Sequence, residues 1–380
     1  MLPIIARDEF NASVAGATLI IVAPMVGGVL TTLPTGYLMD LIGRRKLMII
    51  APLISAAAAF LVLRATSYSE MLAYMTISGL AQQTWQMSRL AMIADTVEQN
   101  RRGRLITGMS GIQRSGTLLG PFIGGFIGQV FGLRIPFILF GVFSLAAALL
   151  TVLLIKESAP HLLAKRAGET GGAEKVDISW STLLTRPVLV LFGAQFAVNM
   201  GRGGAQGNGG PHFIFAAFAY DLGPAALGSI LLVAGVIGIP ITLMSGQIMD
   251  RFGRKRTIVP ASALLGTSLS LMIATAAFEL PLPFFIASFA IINLAVSMMA
   301  GSMQTLGTDV APPGARGKFF GVNRLIAETG SLGNPLSFAV VTGLLGATAA
   351  GYAGAFGIMA VGAFTSSAMI GILMKETLRK

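Results

Sequence analysis

The chain has 380 residues, of which 54% are hydrophobic and 11% charged, and its mean hydropathy is +0.77. Soluble domains carry about 25% charged residues, so this composition excludes a single water-soluble core and places most of the chain in lipid. The net charge of +11 does not point to nucleic acid, because the bases punctuate apolar runs instead of gathering on a polar domain, and the absence of Cys excludes disulfides and thiolate metal sites.

In chain order, eleven apolar runs are read as helical spans: residues 13–39, 46–64, 70–97, 104–131, 135–155, 187–219, 224–249, 256–277, 282–307, 319–343 and 349–374. Before them, apolar residues 1–6 followed by Arg7, Asp8 and Glu9 predict the tail of a further span and the loop after it. These opening residues lack the basic lead of a cleavable signal peptide. Lys and Arg set the orientation. One set of loops holds twenty of them, among them Arg44, Arg45, Lys46, Lys156, Arg254, Lys255 and Arg256, whereas the other holds only Arg7, Arg64 and Arg134. The first set, and with it the C-terminus, is therefore expected in the cytoplasm, and the N-terminus outside. The one long polar stretch, 157–186, reads as a cytoplasmic linker between a bundle at 1–156 and a bundle at 187–380. It is either a mobile tether or is docked at the membrane surface by Trp180.

Two patterns recur. Gly36, Asp40 and Gly43, followed by Arg44, Arg45 and Lys46, return 210 positions later as Gly246, Asp250 and Gly253, followed by Arg254, Lys255 and Arg256. Asp95, Arg102, Gly116 and Pro121 return 214 positions later as Asp309, Arg316, Gly330 and Pro335. Two similar halves in a membrane chain are the mark of a secondary transporter built from repeats.

The repeated Gly-x3-Asp-x2-Gly stretch with its basic tail resembles the loop signature of the major facilitator superfamily, which lies between spans 2 and 3 and between spans 8 and 9. The first copy departs at Leu41, where the family has a base; the second has Arg251 there. The likeness covers nearly the whole chain and implies an all-α membrane protein of two pseudo-symmetric helical bundles. The family has twelve spans, so the eleven here are expected to be spans 2 to 12. Either the start is assigned too late or the first span is missing, and the late start is the favoured reading.

Gly36 and Gly246 are expected to let helices approach where a side chain would hold them apart. By resemblance, Asp40 and Asp250 face the positive N-terminal ends of spans 11 and 5, and Arg44 and Arg254 pair with Asp95 and Asp309. With Gly43 and Gly253, these residues would latch the inner face shut; the plainer reading is that the bases only set topology. Gly116, Gly120, Pro121, Gly124 and Gly125 fill the Gly-x3-Gly-Pro-x2-Gly-Gly pattern of span 5, which is similar to the motif of drug/proton antiporters in the family. The plainer reading there is a packing hinge.

Candidate substrate residues fall in two runs. In span 4, Gln82, Gln86 and Arg89 share one helix face with Trp85 beside them. An Arg at membrane depth faces a cavity or a partner, and a structural role near the inner gate competes with substrate binding. Met75 stands where the family has an Arg in span 4, so the proton-transfer role of that Arg is not carried over. In span 7, Gln195, Asn199, Arg202 and Gln206 form a second stripe, and residues 201–212 hold six Gly and one Pro. Such a run predicts an interrupted helix, which is tolerated at membrane depth where it lines a cavity or is buried in protein. Arg202 is expected to attract an anionic group or to control a nearby carboxylate; a flexible outer gate is the alternative.

Glu328 lies about ten residues, or roughly 15 Å, beyond Lys318 along its helix. It is the one carboxylate placed near mid-membrane and the candidate proton carrier, with an ion pair to Arg324 one turn earlier as the alternative. His212 and His161 are the only histidines, and His212 is expected at an outer interface. No metal, cofactor or catalytic cluster is expected, so neither an enzyme nor an ATP-driven pump is predicted. The readings converge on a monomeric secondary active transporter of the plasma (bacterial inner) membrane, working by alternating access. Its partners would be the lipid bilayer, a small-molecule substrate and protons, and not nucleic acid. Proton-coupled efflux of small, amphipathic compounds leads. Uptake of a small metabolite or organic anion, favoured by Arg89 and Arg202, is second; a transport-inactive sensor or scaffold is third.

Overall fold

The computed structural model describes residues 2–96, 99–158, 185–202, 210–299, 301–312 and 316–377; the side chains of Asp40, Ala94, Asp95, Arg114 and residues 99–111 and 316–318 fall outside that description. Helix dominates the described residues: α1 (Leu2–Phe10), α2 (Val14–Ile42), α3 (Arg44–Val62), α4 (Tyr68–Thr96), α5 (Gln99–Phe131), α6 (Ile135–Leu154), α7 (Arg186–Arg202), α8 (Pro211–Ala219), α9 (Pro224–Phe252), α10 (Arg254–Ala277), α11 (Leu282–Met298), α12 (Ser302–Val310), α13 (Arg316–Leu345) and α14 (Ala349–Ala368), the last continued by a wide π turn, Met369–Leu373. Helices satisfy their own backbone groups, which hydrocarbon cannot do for them. Seven helical stretches among the described residues are long and apolar enough to cross a membrane by length and composition. The predicted span 7 is represented by α7 and α8, and Gln206 lies outside the described residues between them.

Span 10 departs from expectation. The run 282–307 reads as one helix, yet α11 ends at Met298 and α12 begins at Ser302, with Gly301 at φ 81° between them. A hydropathy pattern records which residues prefer lipid and is blind to a single left-handed residue that redirects the backbone.

By its contacts the chain divides into two compact units. The first comprises residues 1–10, 20–117 and 126–176; the second comprises 11–19, 118–125 and 177–380. In the first, α3 packs on α4 and α6. Gly79 and Gly27 bring α4 and α2 together so closely that a Cβ on either would overlap backbone of the other helix, at Pro24 and Thr76. Beside this crossing the buried hydroxyls of Thr31, Thr35 and Thr84 form a cluster, with Thr35 and Thr84 3.0 Å apart. At the other end of the unit, Arg134 pairs with Glu9 at 2.6 Å and donates to the carbonyls of Leu63 and Ala65 at 2.8 and 2.9 Å, tying α1, the α3–α4 turn and the start of α6 together.

In the second unit, α10 packs on α14 and α11, and α7 lies against α13 and α14. Gly201 and Gly362 let α7 and α14 meet backbone to backbone, and Gly330 leaves room for the Phe196 carbonyl of α7. The Asn334 side chain donates to the Met200 carbonyl at 2.5 Å across the same seam. Phe213 and Phe215 of α8 stack into a cluster with Phe285, Phe289, Tyr352 and Phe356, fastening α8 to α11 and α14. Such pairs contribute about 0.5–1.5 kcal/mol each beyond the area they bury.

Candidate functional site

The repeated loop signature builds the same corner in each unit. Gly43 and Gly253 sit at φ 94° and 111°, and α3 and α10 start immediately after them. The first amides of each helix then need acceptors. In the first unit, Glu157 accepts from the Arg44 and Arg45 amides at 3.0 and 3.2 Å. In the second, Glu376 accepts from the Arg254 and Lys255 amides at 2.9 and 3.2 Å. A Cβ at Gly253 would overlap the Glu376 carboxylate, so this glycine supplies both the turn and the space for the cap. The two glutamates were not singled out in the sequence. They sit just beyond the ends of the sixth and twelfth spans, each after a Lys, and that pairing with a helix start more than 110 residues away is visible only in three dimensions.

The structure brings Arg254 and Asp309 together at 3.2 Å, with Asp250 4.0 Å from the same guanidinium. The Thr377 hydroxyl donates to Asp309 at 2.7 Å, so the segment after α14 holds the carboxylate as well. The expected partners in the first half, Arg44 with Asp95, and the placement of the Asp40 side chain lie outside the described residues. The Asp250 side chain is 73% exposed and lies 4.0 Å from Arg254 one turn later. No atom lies within 4 Å of where a Cβ on Gly36 or Gly246 would be.

The span 5 motif also resolves by face. A Cβ at Gly125 would overlap the Pro224 carbonyl, and one at Gly228 would overlap the Pro121 carbonyl; Leu118 fills the space beside Gly235. The packing edge of this segment therefore runs through Leu118, Pro121 and Gly125, against the first turns of α9. Gly116 and Gly120, expected to be packing glycines, face open space, because they fall on other faces of the helix.

The span 4 stripe is assembled in the first unit. The Arg89 guanidinium lies over the Trp85 ring, 4.5 Å from its centroid, and donates to Gln113 of α5 at 3.4 Å. Arg89 Nε and Trp85 Nε1 are buried without a hydrogen-bond partner among the described residues. Arg89 has no carboxylate partner among them either, so its charge is open to an anionic or hydrogen-bond-accepting ligand. Gln86 is half-buried beside this pair, and Gln82 is exposed, bonding to Ser78 at 3.1 Å.

In the second unit the polar groups of span 7 divide. Asn199 is buried, donates to the Gln195 carbonyl at 2.7 Å and accepts from Ser331 of α13 at 3.4 Å. It belongs to the α7–α13 seam, which corrects its reading as a substrate contact; its amide is already engaged by the helices it joins. The Gln195 side-chain oxygen is buried without a partner among the described residues. Arg202, the last residue of α7, is half-buried and feels the charge of Glu328. Glu328 itself pairs with Arg324 at 2.5 Å on α13. Glu328 thus has one guanidinium in contact, that of Arg324 one turn earlier on the same helix.

His212 overturns its expected interfacial placement. It is 1% exposed, stacked on Phe356 with centroids 5.6 Å apart and tilted against Phe289 at 5.9 Å. Neither ring nitrogen has a hydrogen-bond partner among the described residues. Glycines on its N-terminal side suggest a loose, wet end, but the aromatic residues of α11 and α14 that enclose it are distant in sequence.

These arrangements can be set beside known proteins. A family profile described as the Major Facilitator Superfamily matches residues 1–335. The chain belongs to the major facilitator superfamily. It is 28% identical over 270 residues to the multi-drug resistance efflux pump PmrA of Streptococcus pneumoniae, covering 69% of this chain and 63% of the relative. It is 27% identical over 293 residues to the multidrug resistance protein MdtG of Serratia proteamaculans, covering 72% and 68%. The chain thus spans under two thirds of the length of the pneumococcal relative. Among solved structures, a crystal structure of a D-xylose–proton symporter aligns with a TM-score of 0.75 at 18% identity, over 99% of this chain and 92% of the other. The xylose transporter XylE of E. coli, in its inward-open conformation, aligns at 0.72 and 16%, over 96% and 87%. At such identity these neighbours establish the fold: this is a multi-pass, all-helical membrane protein with the major facilitator architecture.

Proposed function

We propose that this chain is a proton-coupled secondary transporter that exports small, amphipathic compounds from the cytoplasm by alternating access. The observation that carries the coupling is the contact of Glu328 with Arg324 on α13, the helix that packs on α7, whose last residue is Arg202. In this reading a proton taken up at Glu328 releases the Arg324 guanidinium that contacts it, which changes what the site attracts. A bound ligand that prefers one protonation state then shifts the conformational equilibrium by its differential affinity. Arg254 and Asp309 serve as one inner latch, opening and re-forming with each cycle. Export as the direction is supported by the relatives, which are named for multidrug efflux.

A second reading, uptake of a small organic anion, is favoured by Arg89, which has no carboxylate partner among the described residues. The test is flux in oriented vesicles under an imposed pH gradient, with a panel of cationic dyes and organic acids. Accumulation in inverted vesicles with an acidic lumen supports export. Accumulation only in right-side-out vesicles with an acidic exterior supports uptake, and absence of flux for the whole panel supports the sensor or scaffold. Glu328→Gln is expected to abolish gradient-driven accumulation while retaining downhill exchange. Full proton-driven flux in that variant overturns the coupling role.

A further inference from the structure

Beside the Glu157 cap, at the junction of α3 and α6, lies a cavity of about 480 Å³ lined by Arg45, Lys46, Lys156, Glu157 and the last turn of α6 from Val152 to Ile155. Three cations and one carboxylate face it. The carboxylate accepts from the Arg44 and Arg45 amides at 3.0 and 3.2 Å, and the lining carries three cations to this one carboxylate. Arg45 is held across the end of α6 by a 2.8 Å bond from its guanidinium to the Val152 carbonyl. Lys46 and Lys156 are exposed and have no hydrogen-bond or ion-pair partner among the described residues.

The remaining wall is apolar and faces outward: Val152, Leu153 and Leu154 are 44%, 67% and 75% exposed. They continue the surface of α6, which is the most apolar of the membrane-crossing helices and is only 17% buried within the protein. A soluble anion would gain nothing from such a wall. A phospholipid would use both parts, its acyl chains lying along α6 and its phosphate reaching the cations at the helix end.

We propose that this cavity is a binding site for an anionic phospholipid headgroup, with Lys46 and Lys156 contacting the phosphate and Arg45 completing the cradle. On the orientation expected from the basic loops, the lipid comes from the inner leaflet. The site is independent of the transport reading, since it lies outside the polar groups assigned to substrate or protons.

The test is native mass spectrometry of the purified full chain titrated with phosphatidylglycerol or phosphatidylcholine, beside the double variant Lys46→Ala/Lys156→Ala. Neither lysine is bonded to the fold, and circular dichroism checks that the variant is folded. The expected result is preferential binding of phosphatidylglycerol by the unmodified chain, falling about tenfold in the double variant, with no displacement by glycerol 3-phosphate at millimolar concentration. Equal binding of the two lipids, unchanged binding by a folded double variant, or full displacement by glycerol 3-phosphate each overturns the proposal, the last by marking a soluble-anion site. A double variant that does not fold directs the titration to Lys156→Ala alone, where a smaller loss of the same selectivity is expected and its absence counts against the site.

Discussion

Arg254 and Asp309 illustrate how much a single pair decides. The guanidinium is 15% and the carboxylate 28% exposed, so their 3.2 Å contact is partly shielded from water. Removing one partner costs about 1 kcal/mol in the latched state, a shift of about fivefold in the balance of conformations. Arg254→Ala is therefore expected to slow transport by about that factor, and exchanging the two residues, Arg254→Asp with Asp309→Arg, is expected to regain part of it in the same flux assay. Loss without any regain would mark the bases as topological only. His212 makes a prediction of the opposite sense. A buried imidazole without a hydrogen-bond partner among the described residues is a destabilising presence in an aromatic cluster. His212→Phe is expected to hold or raise the unfolding temperature read by intrinsic fluorescence, whereas His212→Ala lowers stability by about 2–4 kcal/mol through the cavity it leaves. A marked loss in the Phe variant would show that the imidazole itself is needed.

At the scale of elements, glycines of one motif separate by what surrounds them. Gly253→Ala places a side chain at φ 111° and against the Glu376 carboxylate, so it is expected to cost about 1–3 kcal/mol. Gly246→Ala, seven residues earlier in a helix and in open space, is expected to be neutral or slightly stabilising. Thermal unfolding of the two variants side by side checks the contrast. The span 5 motif gives a parallel pair: Gly125→Ala disturbs the contact with Pro224, and Gly120→Ala does not. The repeat was legible here because Gly-x3-Asp-x2-Gly recurs in the letters. Which glycine packs was not, because it depends on the rotation of each helix and on a neighbour far along the chain.

For the whole molecule, the absence of Cys offers a direct measurement. Gly36→Cys and Gly246→Cys place a thiol in open space near the ends of α2 and α9 that precede the basic runs at 44–46 and 254–256. Both are expected to react with a membrane-impermeant thiol reagent in inverted vesicles and not in right-side-out ones, which tests the orientation read from the loop charges. Under conditions that close the inner side, labelling at both positions should fall together, as alternating access requires; independent behaviour would argue against a concerted cycle.

The helical membrane class and the family were legible from the amino acids because lipid imposes long apolar runs and the loop signature recurs at a fixed offset. The glycine-rich run expected to interrupt span 7 falls, at residues 203–209, outside the described residues between α7 and α8. The break at Gly301, the Glu157 and Glu376 caps, the enclosure of His212 and the engagement of Asn199 by α13 were decided by tertiary structure alone. Each depends on which distant side chain arrives at a given atom, and a one-dimensional pattern carries the preference of a residue for lipid or water without naming the neighbour that will satisfy it.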